Sequence, residues 1–169
     1  MRVPVFYDFS QIVLIITAGL LFYVAFNDLK NYRIRNEFNL VLMGLYFIHA
    51  FVSGRWQILP WNLLFAVLMF IPLFIAYSLR LLGGGDVKLL TVAFLWTGFD
   101  CALLFAVFLL GFSLCHFAVV KIKEMRAVEK SKRVRVAYAP SIAAALIVTF
   151  MLGCLAPLFY TPAGPIVMH

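Results

Sequence analysis

The sequence predicts an all-α integral membrane protein, folded as a six-helix transmembrane bundle with both termini outside. Hydrophobic residues make up 65% of the 169-residue chain, the mean hydropathy is +1.03, and charged residues make up only 12%. A soluble domain carries about 25% charged residues, so this composition excludes an ordinary soluble protein. The apolar runs are continuous rather than alternating, which favours helices, because a chain in lipid must satisfy its backbone hydrogen bonds internally.

Six apolar runs define the predicted helices, since a membrane helix needs roughly 20 apolar residues. They cover residues 9–27, 38–53, 56–79, 89–99, 101–120 and 136 onward, with the membrane part of the last run ending near residues 157–162. The fourth run is short: as a helix it reaches about 16 Å, roughly half of a 30 Å hydrocarbon core. We expect the whole chain, residues 1–169, to form a single transmembrane domain.

The positions of the basic residues predict the orientation of the bundle. Twelve of the 14 Lys and Arg residues lie in the first, third and fifth predicted loops, and only Arg2 and Arg55 lie on the other side. Because basic loops stay in the cytoplasm, this split places those three loops inside and both termini outside. The basic fifth loop, residues 121–135, is expected to lie on anionic lipid rather than to bind nucleic acid.

Two of the seven acidic residues stand out by position. Asp28 ends the first run and Asp86 precedes the fourth, both on the predicted cytoplasmic side. A full crossing by the short fourth helix would draw Asp86 and Lys88 below the membrane interface, where an ionisable group is a functional candidate. The glycines at 83–85 would let the chain break its helix, turn with positive φ and approach another backbone closely.

Two carboxylates in one polar pocket can hydrolyse a bond by general acid–base chemistry. Two close carboxylates resist joint ionisation, so one holds a proton while the other activates water. The alternative is a purely structural role, in which Asp28 pairs with Lys30 and Asp86 caps a helix. His49 and His116 lie alone in separate apolar runs and are interpreted as structural residues.

The sequence predicts neither a cofactor nor a metal site. No cluster of metal-ligating residues stands out, and neither a G-x-S-x-G nor an H-E-x-x-H motif is present. The three cysteines show no C-x-x-C spacing and are interpreted as apolar packing residues rather than as members of a disulfide framework.

Two motifs resemble those of a known family. The stretch "GGGDVKLL", residues 83–90, resembles the G-x-G-D-x-K-L-L signature of type IV prepilin peptidases, the membrane aspartic proteases with a GxGD motif. In "DLKNYRIRN", Asp28 is followed eight residues later by Asn36, as in the family, but Arg35 stands where the family usually has proline. The stretch "VAYAPSIAAALI" resembles the final span of the family, including its proline at Pro140.

The resemblance implies a catalytic pair, Asp28 and Asp86, supported by Gly83, Gly85, Lys88 and Asn36. It implies removal of the leader peptide from prepilins or pseudopilins at the cytoplasmic face of the inner (plasma) membrane. Cleavage would follow a small residue, commonly Gly, just before the hydrophobic helix of the pilin. Because no methyltransferase region with paired C-x-x-C motifs is recognisable, the chain is similar to the short, peptidase-only TadV/CpaA type that serves Flp/Tad pili.

Two other functions fit parts of the same pattern. Proteases of the presenilin or signal-peptide-peptidase type also use GxGD, but they pair it with a Tyr-Asp span, whereas Asn27 precedes Asp28 here. A small proton-coupled transporter would also place acids within the membrane. The sequence shows no internal repeat of the kind found in many transporters.

Overall fold

The computed structural model describes residues 4–31, 35–54, 56–126 and 138–153. These residues form five helices: α1 (Pro4–Asn31), α2 (Asn36–Val52), α3 (Leu59–Ser78), α4 (Gly84–Arg126) and α5 (Ala139–Met151). This described part of the chain contains no β-strand, so the predicted all-α class is confirmed. The predicted terminal positions and the end of the last span, near residues 157–162, lie outside the described residues.

Three helices are long and apolar enough to cross a membrane, namely Phe9–Asn31 in α1, Leu59–Ser78 in α3 and Gly84–Val119 in α4. Two shorter apolar helices, α2 and α5, pack among them. Along α3, Ala66 is the one residue that is buried, and large side chains such as Trp61 and Phe74 are exposed. An apolar surface of this extent suits lipid rather than water, and the protein is an integral membrane protein.

The predicted count of six helices is not confirmed: the described residues form five, and the fourth and fifth predicted spans both lie in α4, on either side of a kink. The chain nevertheless changes direction inside α4, at Gly98, whose φ of 58° and ψ of −168° are not helical. Asp86 and His116 both interact electrostatically with Asp28, although a straight helix would hold them about 45 Å apart. Glycine tolerates this positive φ, so the chain reverses without a connecting loop.

The two segments of α4 pack against each other on either side of this reversal. The ring centroids of Phe94 and Phe105 lie 5.4 Å apart, whereas eleven residues of straight helix span about 16 Å. Trp96 and Phe105 are completely buried at the centre of the core. The short predicted fourth span is therefore real as a segment, but it begins at Gly84 rather than at residue 89.

The last helix, α5, lies between α1 and α4 and contacts both. Its buried side chains are mostly small or polar: Ala139, Ser141, Ile142, Ala143, Ala145, Leu146, Thr149 and Phe150. Small residues let helix backbones approach closely in a membrane. This packing brings the first turn of α5 to the end of α1, where Asp28 lies.

Cys101, three residues beyond Gly98, is disulfide-bonded, and Cys115 is free and exposed. Cys154 lies outside the described residues. The interpretation of every cysteine as a simple packing residue is therefore wrong for Cys101. Spacing rules detect only short-range cysteine motifs, so they carry no information on a bond made through the fold.

Candidate active site

Asp28 is held by the start of another helix. Its side chain is only 5% exposed, and its Oδ2 atom accepts a hydrogen bond of 3.2 Å from the backbone N–H of Ala139. Ala139 is the first residue of α5, where backbone N–H groups have no partner within the helix and favour a negative charge. Lys30, the alternative partner expected for Asp28, is exposed and forms no ion pair with it in the described part of the chain.

Asp86 lies in the first turn of α4 and reaches back to the residue before the helix. Its carboxylate accepts a hydrogen bond from the backbone N–H of Gly83. This contact is one half of a capping box, in which the third helical residue satisfies the N–H of the N-cap residue. The capping role considered as an alternative is therefore present, and it fixes the position of the carboxylate.

Gly83 makes that position possible. A Cβ atom built on Gly83 would lie 2.8 Å from Oδ2 of Asp86, closer than real Cβ contacts. Any side chain at position 83 would push the carboxylate away, so the motif needs glycine here for steric reasons. Gly84 also packs closely, since its Cβ would lie 3.3 Å from the ring of Tyr77.

The positive φ expected within the glycine run is found elsewhere. Arg80 has a φ of 60°, and glycines with positive φ among the described residues are Gly54, Gly98 and Gly153. The turn between α3 and α4 is thus made three residues before Gly83, and the glycines serve close approach instead. Nothing in the structure explains the glycine at position 85, which lies half-buried in the first turn of α4.

The fold brings Asp28 and Asp86 together. They come from α1 and α4, 58 positions apart, and their carboxylates are near enough to interact electrostatically. Asp86 is half-buried and Asp28 is buried, so water screens the pair less than it would at a protein surface. Two partly buried carboxylates from different helices can supply the acid and the base of a hydrolysis reaction.

A hydrogen bond between Lys88 and Asn36 connects the motif of residues 83–90 to the motif of residues 28–36. Lys88 Nζ donates a hydrogen bond of 2.9 Å to Oδ1 of Asn36, and both residues are exposed. The bond links α2 to α4, so these two predicted supporting residues lie together. The possible direct support of Asp86 by Lys88 is replaced in the structure by this contact with α2.

Arg35, which stands in place of the usual proline of the resembled family, precedes α2 with a φ of −74° and a ψ of 137°. This φ lies within the range that a proline ring imposes. Its guanidinium instead forms an exposed ion pair of 2.7 Å with Glu37. The backbone geometry expected of proline is therefore kept. Ile34, which precedes Arg35 and which the family usually has as Ile or Leu, lies outside the described residues.

The sequence did not predict the residues that surround Asp28. His116 interacts electrostatically with Asp28, and its Nδ1 atom lies 3.4 Å from Oγ of Ser141, in the first turn of α5. His116 was interpreted as a lone structural histidine because no spacing rule links positions 28, 116 and 141. The contact exists only because α4 turns back at Gly98.

Among the residues that the structure describes, no group of three or more His, Cys, Asp or Glu side chains is arranged to hold a metal ion. Near Asp28, the ionisable neighbours are Asp86 and His116. These side chains can transfer protons to and from water and a bound substrate.

The model of the type IV leader peptidase family matches residues 15–120, which include Asp28, Asp86 and His116. The match covers more than half of the chain. No curated protein and no solved structure shows a significant match.

Proposed function

The chain belongs to the type IV leader peptidase family, and we propose that it is a membrane aspartic endopeptidase that removes the leader peptide of prepilins. The observation that carries this proposal is the proximity of two carboxylates, Asp28 on α1 and Asp86 on α4. Both belong to the region matched by the family model.

The proposed reaction needs only the two carboxylates and one water molecule. With one proton on the pair, the ionised carboxylate takes a proton from water while the oxygen of that water attacks the scissile carbonyl carbon. The protonated carboxyl group then gives its proton to the leaving nitrogen as the C–N bond breaks. The products are a leader peptide with a new carboxyl terminus and a pilin with a new amino terminus.

The charge pattern and the disulfide support a cytoplasmic position for this pair. Lys30, Arg80 and Lys88 lie near the Asp28 end of the bundle, as expected for the cytoplasmic side. Cys101 is disulfide-bonded three residues from the turn at Gly98, and disulfides persist on the oxidising side of a membrane. A site on the cytoplasmic face of the inner membrane would meet a prepilin whose short leader precedes a membrane helix.

The substrate that we propose is a Flp/Tad-type prepilin. This rests on the similarity to the short, peptidase-only type and on the motif residues Asp28, Asn36 and Asp86. The proposal includes a single domain within the bilayer that uses no cofactor and binds no nucleic acid. Pseudopilins of secretion systems carry the same arrangement of leader and helix and are the second substrate class.

The test is the intact mass of a Flp-type prepilin co-expressed with the wild-type protein or with Asp86→Asn. A mass loss equal to the leader, present only with the wild type, is the expected result. The exposed acid at the other end of the bundle provides the control, since Asp100→Asn should leave processing unchanged. An unprocessed precursor with all three proteins, each present in the membrane, would refute the proposed substrate, and a cut inside the pilin helix would favour a presenilin-type protease.

A further inference from the structure

His116 is an ionisable side chain beside the proposed pair that the reaction does not use. It lies in the second segment of α4, half-buried, on the side that faces α5. Its Nδ1 atom is 3.4 Å from the hydroxyl oxygen of Ser141, whose side chain is 4% exposed. It also interacts electrostatically with Asp28.

Three helices meet at this point. Asp28 comes from α1, His116 from α4, and the first turn of α5 supplies both Ala139 and Ser141. The turn that donates a hydrogen bond to Asp28 through Ala139 is therefore the same turn that His116 contacts through Ser141. Moving His116 would disturb Asp28 in two ways, through the lost attraction and through the turn of α5.

The two carboxylates differ in this respect. The Asp86 carboxylate bonds within its own chain segment, to Gly83 three residues earlier, and needs no other helix for that contact. The Asp28 carboxylate bonds to a residue 111 positions away, so its orientation depends on how α1, α4 and α5 pack. A side chain that braces this junction has a larger influence on Asp28 than on Asp86.

We propose that His116 is a positioning residue of the site: through Ser141 and by attraction to the carboxylate, it holds Asp28 in the orientation used for hydrolysis. This inference rests on the proposed function and adds a third side chain to the site. His116 does not touch the scissile bond in this role. Its removal should therefore slow the chemical step while leaving substrate binding almost unchanged.

The experiment compares purified wild type with His116→Leu and His116→Asn in lipid nanodiscs, using a synthetic prepilin peptide. Leucine keeps the volume without a polar atom, whereas asparagine keeps a polar atom close to the position of Nδ1. We expect kcat to fall about 10-fold or more in His116→Leu, with KM within about twofold, and to recover at least in part in His116→Asn. The neighbouring exposed residue gives the control, because Cys115→Ser should match the wild type.

A kcat of His116→Leu within twofold of the wild type would overturn the inference, as would equal losses in the leucine and asparagine variants. A second measurement needs no substrate: the melting temperatures of Asp28→Asn, His116→Leu and the double variant. Coupled side chains give a double-variant shift that departs from the sum of the single shifts. Melting-temperature shifts that simply add in the double variant would overturn the inferred coupling of His116 to Asp28. A wild type that cuts no prepilin would refute the proposed function; the melting temperatures would then decide on the coupling alone.

Discussion

At the end of the bundle near Gly98, two hydrogen bonds between helices lie among aromatic rings. Trp96 donates its indole N–H to the carbonyl oxygen of Leu42 at 3.0 Å, and Asn62 donates to the hydroxyl group of Tyr46 at 2.9 Å. At the other end, Asp28 and Asp86 each accept one backbone hydrogen bond from the described residues. A carboxylate can accept about four hydrogen bonds, so this end keeps capacity for water and substrate.

The two ends of the bundle therefore have different roles: the Gly98 end holds the helices together, and the carboxylate end carries the chemistry. The indole of Trp96 is completely buried, and its ring packs against Tyr46, His49 and Phe150 from two other helices. Such contacts fix the relative positions of α2, α4 and α5 at the Gly98 end. The carboxylates are then positioned at the opposite end by the helices that this cluster holds, and substitutions at the two ends should affect different measurements.

The largest effect is expected for Gly83→Ala, at the carboxylate end. The new Cβ would lie 2.8 Å from Oδ2 of Asp86 and would displace the carboxylate. A shift of about 1 Å can cost about 100-fold in rate, so we expect a loss of that order in kcat/KM with little change in melting temperature. Gly111→Ala is the matched control, since no heavy atom outside its own helix lies within 4 Å of its Cβ position.

Gly98→Ala tests the anchoring end. Its Cβ would lie 2.5 Å from Oδ1 of Asn62, and alanine is strained at a φ of 58°. Such strain costs about 1–3 kcal/mol of unfolding free energy, so the melting temperature should fall clearly. The cleavage rate measured well below that temperature should stay within about threefold of wild type; a selective loss of kcat without loss of stability would contradict the separation of roles.

Trp96→Phe should have a smaller effect in the same direction. The substitution leaves the buried carbonyl of Leu42 without its indole donor. Because Leu42 lies inside α2, its carbonyl keeps the helical hydrogen bond, so the expected loss is that of one hydrogen bond, about 0.5–1.5 kcal/mol of unfolding free energy. Thermal unfolding of the purified variant measures this loss, and a variant as stable as the wild type would show that the indole bond does not anchor α2 to α4.

The smallest effect is expected for Arg35→Pro. The φ of Arg35 is −74°, which proline also adopts, and the ion pair that would be lost with Glu37 is exposed. Processing of the prepilin and the unfolding free energy should both stay near wild type, the latter within about 0.5 kcal/mol. A strong loss of processing would mean that the guanidinium, rather than the backbone shape, matters at this position.

The sequence predicted the parts of the site that short-range patterns reveal. Asp28, Asp86, Lys88 and Asn36 lie in two local motifs, and the positions of charges near apolar runs indicated that both motifs share one side of the membrane. The structure adds how they are paired: Asp28 interacts electrostatically with Asp86, and Lys88 donates a hydrogen bond to Asn36. The membrane class followed from composition, because lipid accepts almost no unpaired charge.

The features that the sequence could not predict depend on long-range packing. The predicted spans 89–99 and 101–120 imply a reversal near residue 100, but not that it brings His116 to Asp28. Nothing near position 116 signals this contact. Similarly, a glycine run predicts backbone freedom but not the residue at which the chain turns. That residue depends on how α3 ends, and the positive φ is found at Arg80.

The central claim is that Asp28 and Asp86 act as one catalytic unit, and the most direct test is single-turnover cleavage of a synthetic prepilin by purified variants. The comparison includes the wild type, Asp28→Asn, Asp86→Asn and the double variant. Groups that act as a unit are strongly non-additive, so each single variant should lose about as much rate as the double variant, at least about 100-fold. Substantial cleavage by either single variant, or losses that multiply in the double variant, would contradict the claim.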